Sequence, residues 1–100
     1  MGMLTSAALL GVQARAEEPP PAQPPDAKHA GQVAFDRVCK VCHGPEGRGD
    51  AAPRLVPFTR EYQELLGIVR EGTGQMPPIS ERQLPDEDVV QIAAYLSGLD

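Results

Sequence analysis

From Gly31 onward the apolar positions of this chain fall at helical spacing: Gly31, Phe35 and Val38 occupy i, i+4 and i+7 and lead directly into Cys39. Asp26 stands where an N-cap is needed for this first helix. A second stripe, Tyr62, Leu65, Leu66 and Val69, predicts another amphipathic helix, with Thr59 as its cap and Gly72 as its stop. A third begins near Pro85, carries Asp86, Glu87 and Asp88 where the helix dipole favours negative charge, and runs to about Gly98. Its apolar face is Val89, Ile92, Ala93, Leu96 and Leu99. No Val/Ile-rich run precedes Cys39 and no repeat is visible, so the pattern predicts an all-α domain of three main helices separated by long loops.

The segment ahead of these helices has a different character. Met3 to Val12 is a short apolar run, and Ala14-Arg15-Ala16 supplies a small-x-small cleavage pattern before Glu17. Residues 1–16 therefore read as a signal peptide, too short to span a membrane. No Lys or Arg precedes the run, so the usual basic start is missing, as in a truncated leader. Residues 17–25 read EEPPPAQPP; proline removes the backbone donor and fixes φ, which predicts an extended, solvated arm. The folded domain is expected over 26–100.

The chemistry concentrates in Cys39-Lys40-Val41-Cys42-His43, a C-x-x-C-H motif. Two thiols at this spacing match the two vinyl attachment points of a haem, and the adjacent imidazole can reach the iron from one side. The motif thus predicts one covalently attached haem c. A zinc half-site fits poorly, because the other histidine, His29, lies before the cysteines and not at finger spacing behind them. A redox-active dithiol would need a strand–turn–helix context that the pattern lacks, and a plain disulfide leaves His43 unexplained. Size agrees: 100 residues with no Trp, two Phe and two Tyr make a marginal core, which a large flat apolar cofactor would complete.

A second axial ligand must come from few candidates. Met1 and Met3 fall in the leader and His29 sits early in the first helix, which leaves Met76 in Gly72-Thr73-Gly74-Gln75-Met76-Pro77-Pro78. A Gly/Pro-rich loop can carry a side chain across a cofactor face. Two other readings stay open on the residues alone: Met76 as a flexible core filler, and His29 as a second imidazole ligand.

From Asp26 to the C-terminus the chain resembles a small monohaem cytochrome c of the class I type. The resemblance rests on Gly31-x-x-x-Phe35-x-x-x-Cys39, on the C-x-x-C-H motif, on the Met76-Pro77 step and on Tyr95 in Ala93-Ala94-Tyr95-Leu96. It implies a cytochrome c fold in which the last helix crosses the first with Tyr95 near Gly31. It also implies His43 and Met76 as axial iron ligands, thioethers from Cys39 and Cys42, the Pro53 carbonyl as partner of His43, and Leu55 packed on the porphyrin.

With both axial positions filled by protein, such a site offers no open coordination position and suits electron transfer. The expected function is a soluble carrier of single electrons between periplasmic partners such as a dehydrogenase, oxidase or reductase, monomeric and not itself an enzyme. Two alternatives are a tightly bound electron-accepting subunit of a periplasmic dehydrogenase or sulfur-oxidising complex, and a haem-based gas or redox sensor. The net charge of −5, or −6 once residues 1–16 and their Arg15 are removed, disfavours nucleic acid and anionic membranes. Basic residues Arg37, Lys40, Arg48, Arg54, Arg60 and Arg70 lie before the acid-rich last helix, as scattered solubilising charge or, less in keeping with an acidic chain, as a basic docking face.

Overall fold

Gly31, Ala34 and Phe35 turn to one side of an α-helix and are buried, while Gln32, Val33, Asp36 and Arg37 stay in water. This helix, α1 (Ala27–Val38), opens the computed structural model, which describes residues 27–100. The leader, the proline arm and the Asp26 cap all lie outside the described residues. Three more helices follow: α2 (Lys40–His43), α3 (Tyr62–Glu71) and α4 (Asp86–Ser97), with a 3₁₀ turn at Pro45–Gly47. Among the described residues the only extended pairing is an isolated bridge between Thr73 and Met76, so the fold is all-α.

The helices form where the apolar spacing places them, with adjustments at their ends. α3 starts later than the Thr59 cap implies: Glu61 is its N-cap, with no side-chain capping bond, and Thr59 lies in the exposed approach. Phe58, one residue earlier, is buried, and anchoring it holds residue 59 outside the helix. α3 ends as expected at Gly72, whose φ of +77° suits glycine. In α4 the acids of the first turn follow Pro85 at the N-cap, and Gly98 closes the helix.

The core sits where α1 and α4 cross. A Cβ on Gly31 would lie 2.2 Å from the Gln91 carbonyl oxygen and 2.7 Å from Tyr95 Cβ, so the missing side chain lets the two backbones touch. One turn on, the Phe35 and Tyr95 rings meet at a centroid distance of 5.9 Å with a 51° tilt. Around this crossing lie Phe35, Leu84, Val89 and Leu96, all essentially sealed from solvent, together with Ala34, Val56, Phe58, Val69, Ile92 and Ala93. The Tyr95 hydroxyl is buried and has no hydrogen-bond partner among the described residues, and burial with the nearby Glu46 and Asp36 carboxylates holds its pKa above the ordinary tyrosine value.

Candidate haem-binding site

α1 delivers the motif. The Cys39 N–H still donates to the Phe35 carbonyl at 2.7 Å, and the Cys39 carbonyl then accepts from both Cys42 (3.2 Å) and His43 (3.0 Å). That tight turn is α2, and it sets the two cysteines and the histidine within one helical turn. Cys39 is half-buried and Cys42 exposed. Burial pushes the Cys39 thiol up to about 11, against the weaker opposing pull of Arg37.

The loop after α2 folds back and binds the motif along its length. Gly44, at φ +80°, ends α2; a Cβ there would lie 2.6 Å from the Gly49 carbonyl oxygen. The Gly49 N–H donates to the His43 carbonyl (2.7 Å), Ala52 N–H to the Cys42 carbonyl (2.8 Å), and Leu55 N–H to Gly47 (2.7 Å). Pro53 completes the set: its carbonyl oxygen is 2.8 Å from His43 Nδ1. A carbonyl can only accept, so Nδ1 is the protonated ring nitrogen and Nε2 keeps its lone pair for a metal. The bond also fixes the ring plane.

Leu55, two residues beyond Pro53, is half-buried and packs on the core. Met76 does the same from the other side of the sequence, and its loop is tightly held. Thr73 and Met76 exchange backbone bonds of 3.0 and 2.8 Å, closing a hairpin, and Ile79 N–H returns to the Val69 carbonyl at 2.8 Å. Val38, Cys39, Leu55, Tyr62, Leu65, Leu66, Met76 and Ile79 thus form a half-covered apolar wall against the core. His29 is exposed on α1 and takes no part in this wall.

These residues fit a covalently held haem. The chain presents two cysteines on one turn, an imidazole with one nitrogen aimed by Pro53, a thioether on a closed hairpin, and partly buried apolar side chains against the core. A family model described as cytochrome C oxidase, cbb3-type, subunit III matches residues 26–96. The chain belongs to this cytochrome c family. A relative from Pseudomonas putida, the cytochrome c subunit of 4-cresol dehydrogenase [hydroxylating], is 37% identical over 71 residues, covering 70% of this chain and 60% of the relative. Cytochrome CL from the marine methylotroph Methylophaga aminisulfidivorans shares the fold at a TM-score of 0.59 and 23% identity, covering 72% of this chain and 52% of that one. The chain therefore spans little more than half the length of these relatives. Membership brings covalently bound haem c and electron transfer with it.

Sequence reasoning missed two features of this cytochrome. The first is the set of backbone bonds by which residues 44–55 clamp α2, for which Gly44 and Gly49 were the available signal. The second is the pairing of its basic residues: Arg37 binds Asp88, Arg48 binds Glu46, Arg60 binds Glu64 and Arg70 binds Asp86. Of Arg37, Lys40, Arg48, Arg54, Arg60 and Arg70, four are thus paired with acids. Among the described residues no helix is long and apolar enough to cross a membrane.

Proposed function

We propose that this cytochrome carries single electrons between exported redox proteins, with Cys39 and Cys42 forming thioethers to haem c and His43 and Met76 as the axial iron ligands. The observation that carries the reading is the His43 Nδ1–Pro53 contact, which leaves Nε2 as the coordinating atom in a fixed plane. When bound, the haem supplies one-electron exchange between ferric and ferrous iron. The protein's contribution is to keep both ligands in place in the two oxidation states, so that little has to move when charge changes. The Met76 thioether favours the reduced state, and the wall of Leu55, Leu65, Leu66 and Ile79 excludes water on the same side of the balance. Exposed Cys42 and Val41, with Pro77 and Pro78 beside Met76, offer partners a short path to the haem edge. The domain acts as a carrier and not as a catalyst, in the periplasm if residues 1–16 are the leader they resemble, and as a monomer that docks briefly.

A second reading has one observation in its favour. The Pseudomonas putida relative is named as the cytochrome subunit of a dehydrogenase, so this chain could receive electrons as the bound subunit of such an enzyme. Stable co-purification with a dehydrogenase would favour that arrangement over a free shuttle.

Both arrangements require a filled coordination sphere. A potentiometric titration of the holoprotein is expected to follow a one-electron curve, and the reduced protein is expected to leave added CO unbound. Rapid CO binding would contradict the carrier reading and favour a sensor whose Met76 leaves the iron on reduction.

A further inference from the structure

Arg70 lies in the last turn of α3, with only 22% of its side chain exposed. Its guanidinium reaches three separate stretches of chain. Nη1 donates to the Ile79 carbonyl at 3.0 Å, and Nη2 donates to the Leu84 carbonyl at 2.8 Å and to Asp86 Oδ1 at 2.5 Å. Ile79 is where the methionine hairpin rejoins α3, Leu84 is a fully buried core residue, and Asp86 begins α4. One side chain thus ties the exit of the hairpin to the core and to the next helix. Asp86 is an anion at a helix N-terminus and Arg70 a cation at a helix C-terminus, so both helix dipoles favour the pair.

Besides the packing of Met76 and Ile79 on the core, the hairpin is held by a short set of backbone bonds. Pro77 and Pro78 follow Met76 and have no N–H to donate, and the remaining backbone ties are the Thr73–Met76 pair and the Ile79–Val69 bond. To these the Arg70 guanidinium adds a fork of charge-assisted donors, partly shielded from water.

We infer that Arg70 is a positioning residue for the Met76 iron ligand: it holds the 72–79 segment closed, and so sets how often the thioether leaves the iron. The inference rests on Met76 being the axial ligand. It does not concern overall stability, which any core change would alter, but the local opening of one loop.

The test uses ferric holoprotein mixed with imidazole, which captures the iron whenever Met76 leaves; at high imidazole the observed rate levels off at the loop-opening rate. Arg70→Gln is expected to keep the weak far-red sulfur-to-iron band in the absence of imidazole yet raise the plateau rate about tenfold or more, since three bonds are lost. Asp86→Asn, which leaves both carbonyl bonds intact, and Arg70→Lys, which keeps the charge without the fork, should fall between; they also serve if Arg70→Gln does not fold. Ile92→Val, a buried change on α4 that touches none of the Arg70 bonds, should lower the melting temperature and leave the plateau within about twofold of wild type. An Arg70→Gln plateau equal to wild type, or an acceleration that Ile92→Val reproduces, would overturn the Arg70 role while leaving Met76 as ligand. A wild type lacking the far-red band would overturn the Met76 reading itself, and the role of Arg70 with it.

Discussion

Two glycines in helices respond to the same substitution with opposite signs. At Gly31 a methyl group would enter the space of the Gln91 carbonyl and the Tyr95 Cβ, so α1 and α4 would have to separate. Gly31→Ala is therefore expected to destabilise the protein by about 1–3 kcal/mol, on the scale of an overpacked core. Gly67, on the side of α3 away from its apolar stripe, has nothing within 4 Å of a built Cβ. Gly67→Ala should stabilise by about 0.5–1 kcal/mol, because alanine gives up less backbone freedom in a helix. Thermal unfolding of the two holoproteins checks both; a melting temperature unchanged or raised in Gly31→Ala would contradict the close crossing. Gly31 was legible through the family resemblance, which sets Tyr95 of the last helix against this glycine. Nothing local distinguished Gly67, since the difference is whether another helix lies opposite.

At the scale of elements, the stripes of α3 and α4 were legible because burial of one face imposes the spacing along a helix. So was the proline carbonyl facing His43, but only by resemblance to a family, since the loop that brings Pro53 back has no periodicity to read. The Thr59 cap failed for a related reason: a capping residue two positions too early competes with tertiary anchoring of Phe58, which sequence spacing does not reveal. The acceptors of Arg70 lie 9, 14 and 16 residues away, so its role could not be seen locally, where a cation near a helix C-terminus looks like ordinary dipole compensation. The methionine hairpin also depends on Gly72. Its φ of +77° and the 2.7 Å separation between a built Cβ and the Met76 carbonyl oxygen leave no room for a side chain. Gly72→Ala combines left-handed strain of about 1–2 kcal/mol with that clash, and should shift Met76 and lower the reduction potential. A potential equal to wild type, measured by redox titration, would mean that the hairpin does not position the ligand.

For the whole molecule, α1 presents the cysteines and His43, the 44–55 loop orients the histidine ring, and α3 with the 72–79 segment brings a thioether and an apolar wall to the same core. The chain as a whole is acidic, and Arg37, Arg48, Arg60 and Arg70 are each paired with a carboxylate, while Val41 and Cys42 are exposed. Exchange of one electron at an iron held by His43 and Met76 is the central claim, and the absorption spectrum tests it most directly. Oxidised and reduced spectra of the holoprotein should be compared with those of Met76→Ala. The account predicts sharp reduced haem bands in the wild type and a weak far-red sulfur-to-iron band in its oxidised form that disappears in the variant. A far-red region identical in the two proteins would remove Met76 from the iron and contradict the account.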